Sequence, residues 1–363
     1  MIHRGLPSVD PNQCFVEMSP VTKVIDQVLA KGRRLYWHPM VKDMTRRAAG
    51  AFNHLTPIYN RTHLIKPGAK LLMTMGRDEN TRIAHFLEYY RKLGIDHFLF
   101  VDNQSDPPMA DILANEPDVS LWHTDEGYAD ARYGVDWMNA LLSTHAVGHW
   151  VLTVDLDEFF VYPFMGSRSY DELLSFLDDA EKPSFFTLLV DMYPEGSIAD
   201  AYVPEGESPL AHAPYFDRAG YYSTKGGHGD TWVRGGPRLR AFNSSDFSAA
   251  PSINKTPLIK WQSGYAYYLS THVVYPALLN LAHRKYHEPT GALLHFKFVS
   301  SFREKIDHAI RMKNHYNDSG EYQKYLDRLQ HSEDYSLHSA LSAKYAGPES
   351  LIEAKIMTAG CWT

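Results

Sequence analysis

The chain has 363 residues, enough for one large α/β domain with additions or for two small domains. Its 36 basic and 43 acidic residues give a formal charge of -7, which argues against broad non-specific nucleic-acid binding but leaves room for a local phosphate site. Cys14 and Cys361 lie at opposite ends, so a disulfide framework or a zinc cluster is excluded, and no run approaches the ~20 apolar residues of a membrane span.

Residues 1–66 read as an N-terminal extension. Val21 to Arg34 and Lys42 to Phe52 have the spacing of short helices, and Lys31, Arg33 and Arg34 read as a solvated face. The extension lacks the apolar core of a signal peptide, and the expectation is a cytoplasmic protein. From Lys70 the pattern sharpens, and residues 67–300 are expected to form the main domain. Leu71 to Met75 predicts a strand, followed by a polar turn that contains Arg77 and Asp78. A helix follows, with Ile83, Phe86, Leu87 and Tyr90 on one face and Gly94 placed to end it. His97 to Val101 predicts a second strand, broken by the turn formers Asp102 to Pro108, and Val119 to His123 a third. A helix over about Ala131 to Ala146 leads to the run Val151, Leu152 and Val154, a strand buried on both faces. This alternation predicts an open, mostly parallel sheet with right-handed crossovers and a ligand site at the carboxyl ends of its strands.

Those ends carry acids throughout: Asp78, Asp102, Asp125, then Asp155 and Asp157. Carboxylates there can hold ribose hydroxyls, a base edge or a metal, and Arg77 can answer a phosphate. By strand alternation Asp155 and Asp157 project to one side, at a cost that a hard divalent cation such as Mn²⁺ or Mg²⁺ bridging a diphosphate would offset. A bare D-x-D is more often a solvated loop or a pair of helix caps; here it follows a core strand and precedes Phe159, Phe160 and Tyr162. No G-x-G-x-x-G follows the first strand, and no G-x-x-x-x-G-K-S/T occurs anywhere, which disfavours dinucleotide and P-loop sites.

Further on, Ser169 to Glu172 is a capping box, and Phe185 to Met192 predicts a strand that leads into Asp191. Residues 196–236 read as loop, either the acceptor side of a cleft with a lid or a plain surface excursion. Lys255 to Trp261 and Tyr267 to Tyr275 predict further strands. His295 and Lys297 share a face by the period of two; His272 reads more as a packing residue than as a ligand, but stands as the alternative to His295 for a metal. Residues 301–363 are expected to be a helical segment packed on the domain.

The pieces RDEN at 77–80, LGIDHFLFVDNQSD at 93–106, VDLDEFF at 154–160, GGPRLR at 235–240, KTPLIKW at 255–261 and ALLHFKF at 292–298 stand in an order that resembles the family 2-like bacterial glycosyltransferases of GT-A fold. The likeness covers roughly residues 70–315. Arg77 and Asp78 depart from it, standing where the family usually has Lys-Asn. The resemblance implies a Rossmann-like GT-A domain that moves a sugar from a UDP- or GDP-sugar to a glycan or lipid-linked acceptor, with inversion. It implies a metal held by Asp157, by Asp155 directly or through water, and by His295. Lys297, with Lys260 or Arg238, would add charge at the diphosphate, and Arg77, Asp78, Asp102 and Asn103 would hold the nucleotide. Asp191 and Asp230 are the candidate bases. A nucleotidyltransferase, a non-catalytic nucleotide-sugar binder and a metal-dependent hydrolase are the competing readings.

Overall fold

A computed structural model describes residues 39–225, 231–280, 288–302, 325 and 335–362. In chain order the strands are β1 (Thr56–Tyr59), β2 (Leu71–Gly76), β3 (His97–Asp102), β4 (Val119–His123), β5 (Trp150–Thr153), β6 (Glu158–Val161) and β7 (Ser184–Asp191). Then come β8 (Tyr215–Asp217), β9 (Tyr222–Lys225), β10 (Thr231–Arg234), β11 (Asn254–Lys260), β12 (Ala266–Leu269), β13 (Val273–Tyr275), β14 (Gly291–His295) and β15 (Ser342–Lys344). The helices are α1 (39–52), α2 (Asn80–Leu93), α3 (Ala110–Leu113), α4 (Val135–His145), α5 (Tyr170–Asp179) and α6 (Pro348–Glu353).

Nine strands form one mixed sheet in the order β1-β4-β3-β2-β5-β11-β7-β14-β6. β4, β3, β2 and β5 are mutually parallel, as the βα alternation predicts, and β7 and β14 run with them. β1, β11 and β6 run the other way. The sheet is therefore mostly parallel, as expected, with three antiparallel strands that the sequence did not single out.

Alternation along the strands splits the core into two layers. Leu72, Phe98, Phe100, Leu121 and Leu152 pack with Ile83, Phe86 and Tyr90 of α2 and Leu173 of α5. Leu71, Met73, Leu99, Val101 and Val151 pack on the opposite face with Ala48 of α1 and Trp137 and Leu141 of α4. The result is helices on both faces of the sheet. Local chemistry fixes the helix ends. Gly94 adopts φ +108° and its N–H donates to the carbonyls of Tyr90 and Arg91. Ser169 and Glu172 form the expected reciprocal box at the start of α5.

The segment expected as one strand over Tyr267 to Tyr275 is a hairpin, β12 and β13. The stretch expected as loop between 196 and 236 contains β8, β9 and β10. The expected helix over Val21 to Arg34 lies outside the described residues, as do nearly all of the residues expected to be helical between 303 and 334.

Candidate functional site

The site is built where the chain crosses the carboxyl edge of the sheet. β5 ends at Thr153 and β6 begins at Glu158, yet the strand order places β11, β7 and β14 between them. Residues 154–157 must therefore carry the chain past the ends of those three strands. The crossing is closed by Glu158, whose N–H donates to the Asp155 carbonyl at 3.0 Å. The end of β2 lies against it: a Cβ on Gly76 would come 2.7 Å from Leu156 Cδ1, so the Leu156 side chain packs directly on the glycine. Asp155 and Asp157 thus sit in a turn rather than on a pleated strand. Their side chains meet different partners, which corrects the expectation of two acids projecting together.

Asp155 and Glu158 face a lysine. β11 runs antiparallel to β5, so its first residues reach the edge at which β5 ends. Lys255, only 4% exposed, hydrogen-bonds the Glu158 carboxylate, and its Nζ lies 3.4 Å from Asp155 Oδ2. Burial opposes the charge on Lys255, but the carboxylates of Glu158 and Asp155 outweigh it and hold its pKa above the ordinary lysine value. Burial lifts Glu158 to about 7 against the pull of Lys255. The same antiparallel run carries Lys260 to the opposite edge, where it pairs in register with Trp150 and salt-bridges Asp178 at 2.8 Å. Lys260 is therefore not at the diphosphate position expected of it; Lys255, at the other end of the same motif, is the lysine at the site.

Asp157 faces a histidine. β14 is parallel to β7, and the register places His295 beside Asp191. His295 Nδ1 lies 2.7 Å from Asp191 Oδ1, and its Nε2 3.5 Å from Asp157 Oδ2. The second Asp191 oxygen accepts from Arg238 Nε at 2.7 Å, at the start of the π-helical turn Arg238–Phe242. Burial works against charge on Asp191, yet Arg238 and His295 bring its pKa down to about 2. Asp191 is thus an acceptor, which assigns the proton of that contact to His295 Nδ1 and turns Nε2 toward Asp157. For His295, burial is outweighed by Asp157 and Asp191, so its pKa is raised. A carboxylate this acidic, with both oxygens engaged, suits orienting a histidine better than removing a proton from an acceptor. Asp230, the other candidate base, lies outside the described residues.

The nucleotide-side residues do converge at the ends of β2, β3 and β4, but several of their polar groups serve the loops. Asp102 is buried and accepts from the N–H groups of Ser105 at 2.9 Å and Met109 at 3.0 Å. Asn103 donates to the carbonyls of Thr124 and Glu126, tying the β3 and β4 loops together. Asp78, with φ +56°, accepts from Asp106 N–H, and Arg77 Nε lies 3.6 Å from Asp78 Oδ2. Asp102 and Asn103 are therefore engaged in holding these loops, while Arg77 is half-buried and Asp78 exposed beside them.

Lys297 is half-buried just past His295, with Nζ 4.9 Å from the centroid of the Tyr325 ring. His272 donates its Nδ1–H to the Asn254 carbonyl at 2.6 Å, and burial, then Lys255 and Arg238, push its pKa down to about 3. It stays a neutral packing residue. Arg82, which no sequence signal marked, joins α2 to the site by donating to the Phe296 carbonyl at 3.3 Å and pairing with Glu79.

Among the described residues no group of three His, Cys, Asp or Glu side chains is placed to hold a metal ion. Two donors do converge, Asp157 Oδ2 and His295 Nε2, and the histidine has the carboxylate partner on its far nitrogen that metal-bound imidazoles usually have. That donor pair fits a Mn²⁺- or Mg²⁺-type ion whose remaining positions are filled by water and substrate phosphate.

No protein-family model matches the chain. No curated protein matches it. Among solved structures, HddC from Yersinia pseudotuberculosis is similar over 38% of this chain and 70% of its own, at 11% identity and a TM-score of 0.22. No helix among the described residues is long and apolar enough to cross a membrane.

Proposed function

We propose that this chain is a metal-dependent glycosyltransferase of GT-A type that moves a sugar from a nucleoside diphosphate sugar to a hydroxyl acceptor. The observation that carries the reading is the Asp157–His295 pair, oriented by Asp191, at the carboxyl edge of a mostly parallel sheet. A divalent ion held by Asp157 and His295 would act as a Lewis acid toward the leaving diphosphate. Asp191 takes the Nδ1–H and so leaves Nε2 as the nitrogen that would bind the ion in place of a proton, and Arg238 holds Asp191 as an anion. Lys297, two residues past His295, and Arg77, just past β2, are assigned to the phosphate oxygens, and Asp78 with the loop anchored by Asp102 and Asn103 to the nucleoside side.

Thermal unfolding in the presence of UDP, GDP and CDP, each with and without Mn²⁺, tests the reading. At least one nucleotide should raise the unfolding temperature only with the ion, and Asp157→Asn should abolish that rise. A rise that ignores the ion, or one that survives Asp157→Asn, would overturn the metal site. Release of sugar from the matching donor then separates transfer chemistry from mere binding.

A further inference from the structure

The acidic turn carries three carboxylates, yet only one of them faces the histidine. Asp157 lies 3.5 Å from His295, whereas Glu158 is hydrogen-bonded by Lys255 and Asp155 lies 3.4 Å from the same ammonium. Lys255 is 4% exposed and Glu158 1%, so the pair is sealed beneath the turn, while the Asp155 side chain keeps 56% of its surface open. A buried ammonium between two carboxylates does the electrostatic work that a second cation would otherwise do, and it repels a cation brought near them.

The geometry points to Lys255 as a positioning residue that keeps Asp155 and Glu158 out of the metal shell, so that the ion is held well only when a diphosphate completes the coordination of Asp157 and His295. This rests on the transferase reading above and adds a rule for the order of assembly: nucleotide and ion bind together, and the ion alone binds poorly. It assigns the acids of D-x-D-E by partner instead of by spacing.

The charge-balanced variant Lys255→Met/Glu158→Gln tests it without leaving a buried charge unpaired, and manganese paramagnetic resonance counts bound Mn²⁺ directly. In the unaltered protein, Mn²⁺ alone should bind weakly and UDP or GDP should tighten it. In the double variant, Asp155 is released to join Asp157 and His295, and Mn²⁺ alone should bind about tenfold more tightly or better. Adding Asp155→Asn to that background should cancel the gain, and Lys255→Arg should behave as the unaltered protein does. A simple loss of packing would not raise metal affinity. Unchanged Mn²⁺ affinity in the double variant, or a gain that persists after Asp155→Asn, would overturn the proposal.

Should the double variant not fold, Asp155→Asn in the unaltered chain decides. At saturating UDP it should leave the half-saturating Mn²⁺ concentration within about threefold, whereas Asp157→Asn should raise it by about tenfold or more. Equal losses would overturn the assignment. If no nucleotide tightens Mn²⁺ in the unaltered protein but the double variant still gains affinity, the transferase reading fails while the role of Lys255 stands.

Discussion

Asp191 is the residue whose environment most restricts what it can do. It is 2% exposed, and its two oxygens are divided between Arg238 and His295. Replacing it with Asn keeps the shape but removes the charge that balances buried Arg238, at a cost of about 3 kcal/mol. The same change loosens the tautomer of His295, and metal affinity should fall by about ten- to a hundredfold. Calorimetric titration of Mn²⁺ at saturating nucleotide, alongside denaturant unfolding, reads both effects. Unchanged affinity would remove Asp191 from the positioning role. The sequence placed Asp191 at a strand end and so marked it as chemically available. It could not show that two partners from distant segments had already claimed both oxygens, because those partners are 47 and 104 residues away.

At the scale of elements, the βα alternation between residues 70 and 153 was legible because each step has a local cause. Apolar runs gave the strands, an i, i+3, i+4, i+7 stripe gave α2, and Gly94 ended it. The join between β3 and β4 carries a pH dependence of its own. His97 bonds Ser120 through Nε2 at 2.9 Å, and burial pushes its pKa from the ordinary 6.5 down to about 4. Between those two values the unfolded chain binds the proton more readily than the folded one, so His97's contribution to stability is intact above about pH 6.5 and lost as pH falls toward 4. The denaturant midpoint should therefore drop between pH 7 and pH 5, and His97→Gln should shrink that drop. An unchanged drop would show that other groups account for it. The single strand expected over Tyr267 to Tyr275 failed for a comparable local reason: β-propensity marks extended chain, but the reversal at Ser270, with φ +46°, splits it into a hairpin.

In the whole molecule, direction in the sheet decides which charges belong to the site. Because β11 is antiparallel, Lys255 is delivered to the acidic turn and Lys260 to the opposite edge, half-exposed against Asp178. Lys260→Ala should therefore leave nucleotide-dependent Mn²⁺ binding unchanged and alter stability by no more than about 1 kcal/mol, as expected of a surface pair. A large loss of nucleotide binding would mean that the two ends of β11 communicate in a way the strand order does not explain. The sequence by itself determined the alternation of strands and helices, the helix caps and the placing of acids at strand ends, since each depends on neighbours within a few residues. Only the tertiary structure decided that β11, β7 and β14 lie between β5 and β6, which brings Lys255, Asp191 and His295 under one four-residue crossing. Strand pairing is set by contacts between segments a hundred residues apart, and no local pattern encodes which edge of the sheet a strand's end will reach.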